Sequence, residues 1–382
     1  MRTTKSIAAF RPALLLSATL LLGAMPRNAA AGGVDSYAQQ NLVSNIPGLA
    51  AHFDPNLVNP WGISFNGGSP FWISDNNSGL STLYNKQGVP LSLVVNIPSP
   101  TGPTGGTPTG QVANTAGGFG GARFIFATED GLIVSWSGGT QAATQVNNSA
   151  SAVYKGLAMA ADGSNTYLYA ANFRAGTIDV FNSSYNQVSL GSSFTDPNLP
   201  AGYAPFNIQS IGGLLYVTYA LQDAAKHDDV PGAGHGFVDV FTTDGVMVQR
   251  LVSMGALNSP WGLALAPAGF GAFSGDLLVG NFGNGWINAY NPTTGAYAGW
   301  LDDPNGNPIV EMGLWGLTFD PNGGSADALY FTAGLPDASG MLEQNGLFGV
   351  LNPTPEPATW LLFGTAMATV LGYGLKLRSH LL

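Results

Sequence analysis

One motif recurs along the chain at a nearly constant spacing, and that period restricts the folds open to it. The segments "NPWGISF" from Asn59, "YKGLAMA" from Tyr154, "PFNIQSI" from Pro205, "SPWGLAL" from Ser259 and "LWGLTFD" from Leu314 align with one another. Their matching residues Gly62, Gly156, Asn207, Gly262 and Gly316 stand 94, 51, 55 and 54 residues apart, and 94 is close to two periods. One unit is therefore hidden in the first gap. A second apolar segment agrees, because it occurs six times: "FWISD", "FIFAT", "YLYAA", "LLYVT", "LLVGN" and "LYFTA". A third follows each, and most units add a weaker fourth, such as "LSLVV", "VMVQRL" or "AYAGWL". Four short strands repeating every ~50 residues are the pattern of a propeller blade. The sequence thus predicts an all-β fold, a six-bladed β-propeller over residues 35–352.

The last unit stops at "GLFGVLNP" without a fourth strand, while "YAQQNLVSN" from Tyr37 precedes the first repeat as an orphan. Pairing the two closes the ring and covers an edge of unpaired backbone groups, which puts Leu42 beside Phe348. Two stretches break the period. Residues 98–111, "PSPTGPTGGTPTGQ", read as a mobile loop with nothing apolar to bury. Residues 220–236, "ALQDAAKHDDVPGAGHG", separate the second and third strands of the fourth blade and form the longest elaboration. With 53 Gly and only 9% charged residues, the composition favours short strands and tight turns over surface helices.

The two ends carry a different message. Arg2, Lys5 and Arg11 precede an apolar run from Leu14 and then small residues up to Ala31, the order of a signal peptide over residues 1–31. Export and cleavage by signal peptidase are expected. Residues 358–375 carry no charge; as a transmembrane helix they span roughly 27 Å, close to the hydrocarbon thickness of a bilayer. Lys376 and Arg378 follow and bias the extreme C-terminus toward the cytoplasm, and Pro355, Glu356 and Pro357 stand just ahead of the run. This three-part order resembles the PEP-CTERM sorting signal, which an exosortase recognises in Gram-negative bacteria. The resemblance implies that residues 355–382 sort the protein to the cell envelope or beyond, with transient or stable anchoring in the inner membrane.

The body has resemblances of its own. Its "PWG" segments and second strands ending in Asp75, Asn172 or Asn281 resemble NHL-type six-bladed propellers. The longer stretches "NPWGISF…FWISDNNSGLSTLYNKQG" and "YVTYALQDAAKHDDVPGAGHGFVDVF" look like an uncharacterised family of exported PEP-CTERM proteins. That likeness implies an architecture and an address, and no reaction.

The chemistry is sparse. Between residues 35 and 352 six basic residues face 21 acidic ones, a net charge of about −15 without a Lys/Arg stripe, which excludes a nucleic-acid partner. No Cys is present, so thiolate chemistry and disulfides are excluded. In "GAFSG" Ser274 falls one place late for a nucleophile elbow. "GAGHG" opens a strand, so it offers no helix N-terminus to an anion. His227 and His235 lack the helical spacing of a zinc pair. Asp223, Asp228 and Asp229 present oxygen ligands for Ca²⁺ or another divalent metal, set against the plainer reading of a solvated acidic loop.

Residues leading into the inner strands are expected to gather at one channel mouth: Asn59, Lys155, Asn207, Asn258 and Glu311. Gluconolactonase-type propellers resemble this arrangement and hold a divalent metal there to polarise a lactone. This mouth offers a Lys and a single carboxylate, so structural roles are the favoured reading. The sequence as a whole reads as a binding or structural module of the cell surface or extracellular matrix, with a polysaccharide or protein partner, more than as an enzyme. The alternative is a divalent-metal-dependent lactonase or esterase at the channel mouth.

Overall fold

The computed structural model describes residues 36–320 and 327–354. The signal-peptide segment, the Pro355-Glu356-Pro357 motif and the apolar run 358–375 lie outside the described residues. No helix among the described residues is long and apolar enough to cross a membrane.

Each repeat folds into an antiparallel sheet whose first strand lies at the centre, and six such blades form the ring. The inner strands are Pro60–Ser64, Pro108–Ala113, Tyr154–Asp162, Tyr203–Ile211, Pro260–Leu265 and Leu314–Phe319. All start at one face of the ring, here called the leading face, and end at the other, the trailing face. Apolar side chains fill the spaces between blades, so that one buried cluster joins every neighbouring pair. A seventh, largely aromatic cluster sits at the centre. The stretch 220–236 begins in the last two residues of the second strand, and its remainder, 222–236, lies between the second and third strands of the fourth blade, as its sequence indicates.

The ring closes as expected. Strand Ser36–Ser44 pairs antiparallel with Leu347–Thr354, the third strand of the last blade, and a bulge at Leu42 sets Val43 opposite Phe348. Tyr37 stacks on Phe270 at 4.5 Å and donates its hydroxyl to the Phe270 carbonyl at 2.8 Å. Leu42 and Val43 pack instead between the last blade and the first. One strand thereby seals two interfaces, the second of them the seam of the ring.

Residues 98–111 are a correction. They carry a short ribbon, Pro98–Ser99 with Gly102–Gly105, and then the inner strand of the second blade, Pro108–Ala113. A strand at this place needs backbone partners and closely packed small residues more than apolar bulk. Pro108 is acceptable as a first strand residue, and Thr109 and Gln111 bury their polar atoms against carbonyls of neighbouring blades. A smaller correction concerns the outermost strand of the first blade, which is Val95–Asn96 and not the whole of "LSLVV".

The inner strands crowd one another at one level of the channel. A Cβ on Gly62 would stand 2.5 Å from the Thr109 carbonyl oxygen, on Gly110 2.3 Å from the Leu157 nitrogen, and on Gly316 2.7 Å from the Trp61 carbonyl oxygen. At Gly156 it would meet the Asn207 Oδ1 at 2.3 Å and the Asn207 Cα at 2.7 Å. Gly156→Ala is therefore expected to lower the urea midpoint by the equivalent of about 1–3 kcal/mol. Gly138→Ala, where an added Cβ meets nothing within 4 Å, is expected to leave the midpoint unchanged.

Candidate functional site

Just before the crowded level, every inner strand carries an irregularity in its register with the second strand. Bulges of this kind re-aim side chains, and here they bring Trp61, Thr109, Lys155, Phe206, Trp261 and Trp315 to equivalent positions around the axis. Four of the six are aromatic. Trp61 stacks on Trp315 with ring centroids 3.5 Å apart, and Trp261 stands edge-on to both at 5.9 and 5.8 Å. Phe282 stacks on Trp315 at 4.1 Å and Phe206 lies 5.9 Å from it. These rings form the seventh cluster and plug the channel toward the leading face.

Lys155 is the one cation of this ring of six. Its side chain is 2% exposed, with Nζ 5.1 Å from the Trp61 ring and 5.9 Å from that of Phe173. Such a charge must be paired to be buried. Glu129 meets it in a short ion pair, and Asp228, from the inserted stretch of the fourth blade, stands 3.4 Å away. Burial would lower the Lys155 pKa, but the charges of Glu129 and Asp228 outweigh it and hold the value raised. Asp228 is pushed down to about 2, first by its hydrogen bond with His227 and also by Lys155. That bond, 2.8 Å from His227 Nδ1 to Asp228 Oδ1, holds the imidazole pKa above its ordinary value.

A layer of amides extends the cluster. Asn76 Nδ2 donates to Glu129 Oε2 at 2.8 Å. Asn59 Nδ2 donates to Glu343 Oε1 at 3.1 Å and to Asn77 Oδ1 at 3.2 Å, while Asn59 Oδ1 accepts from Trp315 Nε1 at 3.0 Å. Asn59 and Glu343 both hold left-handed backbone, with φ of 50° and 67°. Such geometry costs a non-glycine residue about 1–3 kcal/mol and collects at functional sites. Gly313 takes the matching place in the sixth blade with φ 70°, yet glycine at position 59 would supply none of these side-chain bonds. Burial, reinforced by the Glu129 charge, pushes the Glu343 carboxyl up to about 7.

Of the residues expected at the mouth, Asn59 and Lys155 take part in this network and three do not. Asn207 lies at the crowded level itself, where Nδ2 donates to the Trp261 carbonyl at 2.7 Å. Asn258 Oδ1 accepts from the Gly232 nitrogen at 2.7 Å and pins the inserted stretch. Glu311 lies against Gln39 of the closing strand, with its carboxyl raised to about 8 by burial. The reason is register. Counted back from the crowded residue, Asn59 stands three places before it, Lys155 one, Asn258 four and Glu311 five, while Asn207 is that residue. One place along a strand reverses the face and shifts the depth by about 3.3 Å.

The three aspartates proposed for a metal do not converge. Asp223 Oδ1 accepts from the His227 and Asp228 nitrogens at 2.8 and 3.3 Å, so it shapes its own turn. Asp228 faces Lys155. Asp229 turns inward beside Ser259, and burial raises it to about 6. Among the described residues the group with ligand atoms within 4.8 Å of one another is Glu129, His227 and Asp228.

Glu129, Glu343, Asn76 and Asn77 escaped the sequence reading. A signal for two of them existed. Second strands run back to the leading face, so the residue after each one arrives there: Asn76, Glu129, Phe173, Gln222, Phe282 and Gly334. Glu343 carries no comparable mark in its stretch "GMLEQNG".

No protein-family model matches the chain. Two proteins of Acanthamoeba polyphaga mimivirus do. The uncharacterized protein R648 is 34% identical over 319 residues, covering 78% of this chain and 77% of that protein. The uncharacterized protein L690 is 34% identical over 349 residues, covering 85% of this chain and 87% of its own. The chain belongs to their family. Both of these relatives are uncharacterized, so membership brings no activity to this chain. Among solved structures, a streptogramin B lyase aligns with 84% of this chain and 99% of its own at 13% identity and a TM-score of 0.49. The soluble aldose sugar dehydrogenase of Escherichia coli aligns with 84% and 100% at 12% identity and the same score. Neither bears on the chemistry of the family.

A carboxyl with a raised pKa binds its proton more tightly in the folded chain than in the unfolded one. Its contribution favours folding at acid pH and is lost as pH rises from the ordinary carboxylate range through about 7 for Glu343. Glu343→Gln, which mimics the protonated form, is expected to match wild type in urea midpoint at about pH 5 and to exceed it at about pH 8.

Proposed function

We propose that this protein is an exported, envelope-associated binding or structural module whose leading face is a recognition surface and not a reaction centre. The observation that carries this reading is the place of Lys155. Its ammonium takes two of the three metal-competent side chains, Glu129 and Asp228, as ion-pair partners. An internal cation thus stands where a divalent ion would have to bind, and the residues present do not fit a resident metal. Asn76 meets Glu129 at its other oxygen, Oε2, and His227 shares Asp228 Oδ1 with Lys155. Bound in this way, the inserted stretch of the fourth blade is drawn onto the face and shapes it.

The competing reading, a divalent-metal-dependent lactonase or esterase, is favoured by the convergence of Glu129, His227 and Asp228 and by the raised Glu343. Metal content separates the two. Wild-type protein is expected to carry well below one equivalent of Ca²⁺, Mn²⁺ or Zn²⁺ and to gain no melting temperature when Mn²⁺ is added. Lys155→Met leaves its carboxylates unpaired, at a cost of about 3–5 kcal/mol. Added Mn²⁺ is expected to recover part of that loss in the variant alone. Stoichiometric metal in the wild type, with hydrolysis of a lactone or ester, would favour the enzyme.

The proposed address rests on the two terminal segments. Replacing Pro355, Glu356 and Pro357 together by Ala is expected to leave chain that keeps its C-terminal tail in the inner-membrane fraction of a host that possesses an exosortase. Wild-type chain should appear there shortened or not at all. Equal length and distribution of the two would overturn the sorting role.

A further inference from the structure

Charge is divided unevenly around the ring. From residue 251 to residue 352, a span that takes in the fifth and sixth blades, the chain has eight carboxylates and no Lys, Arg or His. Five of the eight, Asp302, Asp303, Glu311, Asp337 and Glu343, stand in stretches that meet the leading face. Apolar side chains reach water on that face. Met254, Met312 and Met341 are 48, 44 and 62% exposed, and Val230 and Val310 are exposed on the same side. The other methionines among the described residues, Met159 and Met247, lie toward the trailing face and are partly buried. Apolar surface gathered in this way marks interaction sites, and the flexible, polarizable thioether suits a surface that must mould itself to a partner.

Backbone hydrogen bonds join these stretches into one continuous rim. The Met254 nitrogen donates to the Gly236 carbonyl at 2.8 Å, and that of Gly283 to Asn258 at 3.1 Å. Glu311 donates likewise to Gly285 at 2.8 Å, Gly334 to Gly313 at 2.8 Å and Asp337 to Met341 at 2.9 Å. The three methionines thus stand on a surface tied together from the fourth blade to the sixth. With these groups already paired, an extended chain finds no free edge among them. A helix pairs its own backbone and needs only side chains to dock.

Met254 carries a strain that its packing does not explain. Its φ of 55° is left-handed, a conformation that is costly for a side chain of this size and collects at functional sites, yet half of the residue lies in solvent. The charges nearby have one sign. Asp337 stands beside Met341, and Asp303 lies in the turn just ahead of Val310 and Met312. A hydrogen bond from the Asn307 nitrogen holds the Asp303 carboxyl below the usual range, and one from Ser339 Oγ does the same for Asp337. Both therefore remain anions, with no cation of the fifth or sixth blade to answer them.

We propose, resting on the reading of the leading face as a recognition surface, that its arc over the fourth to sixth blades binds a basic amphipathic helix of a protein partner. The apolar side of the helix covers Met254, Met312 and Met341, and Lys or Arg at its margins meets Asp303 and Asp337. Charge complementarity selects this occupant. A second copy of the chain would bring like charges together, and an anionic lipid surface would be repelled.

The test follows the ¹³C-labelled methionine methyls of the full chain by NMR in non-ionic detergent. The probe is a synthetic peptide of Leu and Lys at helical spacing, with a Leu/Glu peptide and a Lys/Ser peptide of equal length as controls. The Leu/Lys peptide is expected to shift Met254, Met312 and Met341 with a Kd below about 50 μM, while Met159 and Met247 stay in place. Peptide held by micelles lowers the free concentration without changing which methyl moves. The control peptides should bind at least tenfold more weakly, since each lacks one of the two chemistries, and binding should weaken as salt is added. The double variant Asp303→Asn, Asp337→Asn keeps side-chain acceptors for both turns and is expected to weaken binding at least tenfold. Met254→Gly relieves the left-handed backbone, so it should leave the melting temperature unchanged and still weaken binding. Equal binding of the Leu/Glu peptide, shifts confined to Met159 and Met247, or binding that survives the Asp double variant would overturn the proposal. Movement of the three methyls on raising protein concentration alone would also overturn it, by giving the face to a second copy. Dextran moving the three methyls where the peptide does not would overturn the helix and leave the recognition surface standing, whereas that surface itself is decided by the metal measurement, which uses no peptide.

Discussion

The close approach of six inner strands at one level of the channel governs the rest of the molecule. Five of the six residues there are glycines, and the sixth, Asn207, turns its amide onto the next blade's backbone. Contact at this distance leaves no room for a side chain, so each strand bulges just beforehand and sends its next residue toward the axis. Six such residues meeting in a small circle must either stack or pair. Four stack as aromatics, Thr109 donates to the Tyr154 carbonyl, and Lys155 draws in carboxylates. The polar layer of the leading face is thus a consequence of how the centre of the ring is packed.

This hierarchy explains which features were legible beforehand. The Trp-Gly pairs at 61–62, 261–262 and 315–316 mark bulge and crowding together, so three inner strands stand out in the sequence. Pro108–Ala113 obeys the same rule with Thr109 and Gly110, small polar residues that read as loop because the strand buries hydrogen bonds in place of apolar bulk. Closure by Ser36–Ser44 was legible because an incomplete last repeat and an orphan first strand call for each other.

The site was harder to see, for a reason of register. Lys155 was visible as a charge in an apolar position, but its partners come from elements far away in the chain: Glu129 in a turn of the second blade and Asp228 in the long stretch of the fourth. Grouping residues as merely preceding a strand mixes different depths and faces, which is why Asn258 and Glu311 fall outside the network. Glu343 depends on a local left-handed backbone and a partner 284 residues away in sequence. Neither property leaves a trace in composition or spacing.

The seam of the ring has a mechanical consequence. Ser36 and Thr354 are paired neighbours, their hydroxyl oxygens 2.5 Å apart, so both flanking segments leave the ring from a single corner. Tension between these tails would load the ladder one rung at a time and peel it like a zipper. The same force directed along the strands would have to shear the rungs together. Tethered by one tail alone, the ring would bear no load across this join and would hang from it as a pendant, with its other blades untouched by the pull.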